Sequence, residues 1–265
     1  MNICICQLIK DEQRYIEEWI EYHLNLGISK FVLFEDWNST PHDEILTKDG
    51  DKIILHKVND IISPAVMKRY HDTRQKLIWK YFFEHYRDVF DCCLFIDPDE
   101  YLICNKEDFL EEIEKYYNDK HVKFIQYVWQ TMTASGHIKD PFPNQKYSIM
   151  KTYTNKMEHD LSDLNWNHKP LIYLKKIHSY KNFKAPHDSK LCERSTIYSL
   201  IKLNHYLTKS WEEYKWRLSY KGELLTIWWT RKLEDFFEIN TDLLPYKEQL
   251  LNECKDFKYK YNDYI

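Results

Sequence analysis

Glycine is scarce in this chain: there are four in 265 residues, and Gly27, Gly50, Gly136 and Gly222 stand far apart. They can build neither the G-x-G-x-x-G dinucleotide fingerprint nor the G-x-x-x-x-G-K-[ST] phosphate loop, so both classes of nucleotide site are excluded. Long apolar runs are missing as well. None approaches the roughly 20 residues needed to span a bilayer, and the opening "MNICICQLIKDEQ" is charged by its tenth residue, unlike a secretory signal. Charge of one sign is also lacking: the formal net charge is -4 with acids and bases interspersed, which leaves no basic stripe for a phosphate backbone and argues against nucleic acid. Seven cysteines, an odd number, do not suggest a disulfide framework. The expectation is a cytoplasmic protein without a transmembrane segment. Its contact with the inner face of the membrane is at most weak and peripheral, through the C-terminal "KEQLLNECKDFKYKYNDYI".

What is present is apolar and aromatic: 43% hydrophobic residues, with 21 Tyr, 13 Phe and 9 Trp, enough for a globular core. "NICICQLI" predicts a buried strand, with Asp11 placed to cap a helix whose Tyr15, Ile16, Trp19, Ile20, His23 and Leu24 recur at helical spacing until Gly27 ends it. Cys4 and Cys6 alternate along that strand and share one face, whereas Cys92 and Cys93 point to opposite faces. "KFVLFED", "KIILHKV" and "CCLFI" read as further strands, with a long helix from Val66 to about Tyr86 before the last of them. A helix near Glu107 to Tyr117 follows, then strands in "VKFIQYVWQTM", "KPLIYLKKI" and "IYSLIKLNHYL", then helices from Ser210, where Glu213 completes a capping-box spacing. Strands alternating with helices predict an α/β fold with a mostly parallel sheet flanked by helices, which binds ligands at the carboxyl ends of its strands.

One stretch demands a chemical explanation. In "CLFIDPDEYLI", Asp97, Asp99 and Glu100 interrupt a segment that is otherwise apolar, and unpaired carboxylates between buried residues are costly. Two aspartates one residue apart at the end of a strand present hard oxygen ligands, suited to Mg²⁺ or Mn²⁺ carrying a diphosphate. Pro98 stiffens the turn between them. His205, in "LNHYLTKSWEE", ends a strand just before a capped helix, with Lys209 nearby; a histidine for the cation, with a lysine and a helix N-terminus for phosphate, makes a coherent set.

Five blocks in order, "KDEQRYIEEWIEYHLNLGISKFVLFEDWNS", "FIDPDEYL", "VWQTMTASGH", "KPLIYLKKI" and "LNHYLTKSWEEY", resemble the family 2 and family 92 type glycosyltransferases of GT-A fold over roughly residues 2 to 222. The resemblance implies a GT-A domain over residues 1–222, with 223–265 a C-terminal helical extension packed on it. It implies a nucleotide-sugar donor, UDP- or GDP-linked, and a glycan or lipid-linked glycan acceptor. It also implies Mn²⁺ or Mg²⁺ held by Asp97, Asp99 and His205. The first strand end, Lys10 to Glu12, with Glu35 and Asp36 would line the nucleotide pocket, and Lys169 and Lys209 would help stabilise the leaving diphosphate. Trp129, Ser135 and Gly136 match an acceptor block, in which Met132-Thr133 stands where Phe-Gly is usual; Trp129 is either a sugar-stacking platform or a core residue. An inverting transfer also needs a carboxylate base. Asp140 and Asp188 are the first candidates, with Asp160, Asp163 and Glu193 behind them.

The function expected is a metal-dependent hexosyltransferase of bacterial surface polysaccharide, lipopolysaccharide or glycoprotein assembly. A non-catalytic glycan-binding scaffold, or a metal-dependent phosphotransferase or phosphatase using Asp97 as nucleophile, would share much of this pattern. The latter fits less well, because Tyr101 occupies the position where such enzymes carry Thr or Val.

Overall fold

The computed structural model describes residues 1–36, 39–42, 50–63, 71–143, 145–157, 168–178, 195–221 and 232–258. Eight strands form one sheet: β1 (Ile3–Ile9), β2 (Lys30–Glu35), β3 (Ile53–Lys57), β4 (Cys92–Leu94), β5 (Glu100–Ile103), β6 (Phe124–Thr131), β7 (His168–Tyr173) and β8 (Thr196–His205). The longer helices are α1 (Ile16–Leu26), α2 (His71–Tyr86) and α3 (Lys106–Tyr117), and α4 (Trp211–Trp216) follows the last strand. The expected α/β architecture is therefore observed.

Strand order is β3-β2-β1-β4-β7-β6-β8-β5. β3, β2, β1 and β4 are mutually parallel, β7 is antiparallel to both β4 and β6, β8 is parallel to β6, and β5 is antiparallel to β8. All strands but β5 and β7 thus run in one direction. The first half is a parallel sheet and the second half is mixed.

β1 is buried along its whole length because both faces of the sheet are covered. Ile3, Ile5 and Ile9 pack with Ile16, Trp19 and Ile20 of α1 and Phe109 and Ile113 of α3. Cys4, Cys6 and Leu8 face the other way, onto Ile78, Trp79, Phe82 and Phe83 of α2. Cys92 and Cys93 divide between the two faces in the same manner, as alternation requires. A smaller third cluster joins Trp211, Tyr214 and Leu218 to Leu233, Phe236, Phe237, Leu243 and Leu250, with Ala134 among them. Among the described residues no helix is long and apolar enough to cross a membrane.

α1 ends where expected, at Gly27, whose φ of 108° is left-handed and whose N–H bonds the Leu24 carbonyl. Its start differs from expectation. The N-cap is Tyr15, with no side-chain cap, and Asp11 lies four residues earlier, in a left-handed conformation of its own.

His23 on α1 is fully buried among Trp19, Tyr22 and Tyr101, and its Nδ1 lies 2.7 Å from the Trp19 carbonyl. Burial lowers its pKa to about 4, against the opposing pull of that hydrogen bond. In the unfolded chain the same imidazole titrates near 6.5. Between these values the unfolded state holds the extra proton, so folding stability falls as pH drops from about 6.5 to 4, by roughly 3 kcal/mol from this residue. Urea unfolding at pH 7, 5.5 and 4.5 should show this slope in the wild type and a shallower one in His23→Gln.

Candidate functional site

Because β5 and β7 run against the rest, the carboxyl ends of the other strands share an edge with the amino ends of these two. On that edge lie Lys10 to Glu12 after β1, Glu35 and Asp36 at the end of β2, Asp97 to Glu100 between β4 and β5, Lys169 near the start of β7, and His205 closing β8. The sheet also changes direction of growth here. β2 lies on one side of β1 and β4 on the other, which makes the β1/β4 crevice the switch point where such sheets bind ligands.

The acidic turn is tightly specified. The Asp97 N–H donates to Glu100 Oε2 at 2.8 Å, and the Glu100 N–H donates to the Asp97 carbonyl at 2.9 Å. Gln7, the polar residue within β1, donates from Nε2 to Asp97 Oδ1 at 2.5 Å, and Lys169 Nζ lies 2.5 Å from Asp97 Oδ2 and 3.6 Å from Glu100 Oε1. The antiparallel β5/β8 register sets Glu100 opposite His205, whose Nε2 is 3.7 Å from Asp99 Oδ1 and 3.9 Å from Glu100 Oε1. Asp99 Oδ2 receives two buried cations, Arg217 Nη1 at 3.1 Å and Lys209 Nζ at 3.4 Å. Tyr206 and Trp19 complete the frame by donating to the carbonyls of Asp99 and Glu100.

Protonation follows from these surroundings. Burial alone would raise the Asp97 pKa, but the Lys169 ammonium outweighs it and holds Asp97 below the ordinary carboxylate value. Burial would depress Lys169, and Asp97 and Glu100 raise it instead. Glu100 is pushed well above the usual range, first by burial. Lys209 is lowered by burial and then by the neighbouring Arg217, with Asp99 and Glu213 opposing.

A hard divalent cation suits this donor set chemically: three carboxylates and an imidazole surround the turn, and Glu100 Oε1 is buried with no hydrogen-bond partner. The side chains as placed do not converge. Among the described residues no three His, Cys, Asp or Glu side chains are arranged to hold a metal ion, since Asp97 is engaged by Lys169 and Asp99 by Arg217 and Lys209. A cation at Asp97 and Asp99 would exchange with those ion pairs.

The other expected residues divide clearly. Glu12 and Glu35 are brought together through His42, a residue the sequence reading passed over. His42 Nε2 accepts from the Glu12 N–H at 3.1 Å, while its Nδ1 and backbone N–H both meet Glu35 Oε1, at 2.8 and 2.7 Å. Lys10 and Asp36 are buried beside them. Trp129 is a partly buried member of the main core cluster that also touches the site: its ring lies 4.4 Å from the His205 ring and 5.6 Å from Lys169 Nζ. Ser135 and Gly136 form a left-handed turn. Asp140 is paired through both oxygens with Arg14, at 2.8 and 2.9 Å, an arrangement that suits an anchor of its loop better than a free base. Asp188 lies outside the described residues, as do Asp160, Asp163 and Glu193.

The expectation that the helix after His205 offers its N-terminus to phosphate is not met. Ser210 Oγ accepts from the Glu213 N–H, and the Trp211 and Glu212 N–H groups donate to the carbonyls of His137 and Ile138, so the first turn of α4 is satisfied by protein. Glu213 makes only half of a capping box. Its carboxylate instead accepts from Tyr147 and lies 3.5 Å from Arg14 and 3.7 Å from Lys209. Gln7 had a legible signal, a polar residue inside an apolar strand; Arg217, in a π-helical turn (Arg217–Lys221) after α4, had none in the sequence.

No family model matches the chain. Among curated proteins it is similar to a glycosyltransferase family 92 protein of Oryza sativa subsp. japonica, 20% identical over 229 residues, which cover 82% of this chain and 35% of that protein. The chain therefore spans about a third of the length of the curated relative it matches. Solved structures with distant similarity include S. aureus TarS 1-349, 11% identical over 100% of this chain and 77% of that one, with a TM-score of 0.45. Another is glucosyl-3-phosphoglycerate synthase from Mycobacterium tuberculosis with Mn²⁺, uridine-diphosphate and glucosyl-3-phosphoglycerate, 12% identical over 48% and 44% of the two chains, with a TM-score of 0.32. The resemblance to glycosyltransferases read from the sequence is thus the one met in the comparison with curated proteins.

Asp99 is more than a ligand candidate. Asp99→Ala withdraws the carboxylate shared by two buried cations, which should destabilise the protein by about 3–5 kcal/mol. Asp97 is partly exposed and keeps Glu100 beside Lys169, so Asp97→Asn should lose markedly less. Urea unfolding of both variants checks the order.

Proposed function

We propose that this protein is a glycosyltransferase that moves a sugar from a nucleoside-diphosphate sugar to a hydroxyl of a glycan acceptor. The observation that carries the reading is the cluster of partly exposed Asp97 with buried Asp99, Glu100, Lys169, His205, Lys209 and Arg217, set at the carboxyl edge of the sheet beside its switch point. Sugar departure loads negative charge onto the diphosphate, and a preorganised set of cations lowers that barrier.

Asp97 and Asp99, with His205, are the residues that would hold Mn²⁺ or Mg²⁺, which would neutralise charge on the leaving diphosphate. The Mn²⁺ in the M. tuberculosis synthase complex is consistent with that choice. Lys169, Lys209 and Arg217 are already desolvated, so each can pass from a carboxylate to a phosphate oxygen with little further loss of hydration. Glu12 after β1, with Glu35 and Asp36 at the end of β2, forms the wall against the nucleoside. Trp129, Ser135 and Gly136 border the acceptor side.

Thermal unfolding with UDP, GDP and their sugar conjugates, with and without Mn²⁺, tests this. A nucleotide at about 100 times its Kd should stabilise the wild type by about 2.7 kcal/mol, and Asp97→Asn should lose the Mn²⁺-dependent part. If no nucleotide stabilises the wild type under either condition, the donor reading is wrong and a glycan-binding role takes its place.

A further inference from the structure

Arg14 lies just before α1, and an acceptor meets each of the five N–H donors of its guanidinium. Nε donates to the Gln145 carbonyl at 3.3 Å, Nη2 donates to Asp140 Oδ1 at 2.9 Å and to the Phe142 carbonyl at 2.7 Å, and Nη1 lies 2.8 Å from Asp140 Oδ2 and 3.5 Å from Glu213 Oε2. Apart from Glu213, every acceptor belongs to one loop, centred on Phe142. The Phe142 N–H donates to Asp140 Oδ1 at 3.0 Å, and its carbonyl also accepts from the Gln145 N–H at 3.1 Å. Pro141 and Pro143 flank it, and a residue before proline is confined largely to extended backbone.

This fixation serves an exposed ring. Phe142 is 40% exposed, while its ring stacks on that of Tyr147 at 5.5 Å with 22° between the planes. Tyr147 is buried and leads inward: the Arg14 guanidinium lies 4.7 Å from its ring, its hydroxyl donates to Glu213 Oε2 at 3.0 Å, and the Tyr15 ring is 6.4 Å away. Lys209 Nζ in turn lies 4.7 Å from the Tyr15 ring and 3.4 Å from Asp99 Oδ2. A single exposed apolar residue is ordinary on a protein surface. One held through its N–H, its carbonyl and its ring, and joined by two further rings to the acidic turn, is a built feature.

We propose that Phe142 is a stacking platform for one sugar ring of an oligosaccharide acceptor, a residue of that chain other than the one that reacts. The inference rests on the glycosyltransferase reading above and names the acceptor class as an extended glycan. The C–H face of a pyranose is apolar and slightly positive, which matches the negative face of an aromatic ring. Because the loop and the ring are already fixed, docking a sugar there costs little ordering entropy. Tyr147, Tyr15 and Lys209 intervene between Phe142 and Asp99, so a sugar seated at the acidic turn leaves the platform to a later residue of the chain.

Titration calorimetry with maltohexaose, cellohexaose and chitohexaose, and with glucose and N-acetylglucosamine, tests this. The wild type should bind at least one hexasaccharide about tenfold or more tighter than its monosaccharide, and Phe142→Ala should remove about tenfold of the hexasaccharide affinity while leaving the monosaccharide within about twofold. Phe142→Trp, which keeps an aromatic face, should retain the hexasaccharide. Thermal unfolding without ligand reports whether each variant folds. If Phe142→Ala does not, Phe142→Leu, which still covers Tyr147 but has no π face, should show the same loss.

If the wild type binds no saccharide, or binds the hexasaccharide equally well without the Phe142 ring, the platform is overturned. The donor reading is decided separately, by nucleotide stabilisation with Mn²⁺. Equal losses for hexasaccharide and monosaccharide would place Phe142 at the reacting sugar and overturn its remote position. If Phe142→Ala instead lowers the sedimenting mass of the protein, a second copy of the chain covers the ring and the glycan assignment fails.

Discussion

Three carboxylates on one short turn, held inside the protein, can persist only if cations reach them. Charge burial without compensation is among the most expensive events in folding. Here compensation comes from distant parts of the chain: Lys169 from β7, Lys209 from the loop after β8, and Arg217 from beyond α4. Gln7 adds a neutral donor from β1. The turn therefore draws both halves of the sheet to one point, and the mixed strand directions of the second half become intelligible. Only with β7 running against its neighbours does Lys169, near its start, arrive on the edge where the other strands end.

The same electrostatic demand spreads outward. Lys209 stands between Asp99 and Glu213, and Glu213 in turn meets Arg14, which holds Asp140. Acids and bases alternate along this chain, so no single charge is left to bear its desolvation alone. Among the described residues, the non-glycine ones with left-handed backbone, Asp11, Ser135 and Lys209, all belong to loops at this edge, where local strain is held in place by surrounding bonds. Ser135, for example, accepts from the Asn155 N–H. Asn240, fully buried, accepts from the Ala134 N–H and donates to the Phe236 carbonyl, and so ties the neighbouring loop to the C-terminal helices.

Some of this was open to inspection in the sequence. Seven apolar-rich residues from Ile3 to Ile9 predict a strand buried on both faces, and the helical spacing of Ile16, Trp19, Ile20 and His23 predicts the helix covering one of them. Asp97 and Asp99 were conspicuous because they interrupt an apolar run. Other features were hidden for identifiable reasons. β5 spans four residues, too few for alternation to separate a strand from a buried loop. His42 lies in a polar stretch with no period, and its two ring nitrogens acquire meaning only when Glu12 and Glu35, 23 residues apart in the chain, meet it across β1 and β2. Asp11 looked like a helix cap because its residue type and place suit one, but its bonds to Thr40 and Ser39 divert it.

Composition and spacing by themselves determined the α/β class and the position of the acidic turn at the end of a strand, because these depend on period, polarity and local order along the chain. Tertiary structure alone decided which cations serve which carboxylate, that the first turn of α4 is closed to phosphate, and that Asp140 is committed to Arg14. Those outcomes depend on distances of a few ångströms between residues as much as 199 positions apart, and Coulomb energy in a low-dielectric interior varies steeply over that range. Local sequence carries no information about such distances until the sheet has closed around them.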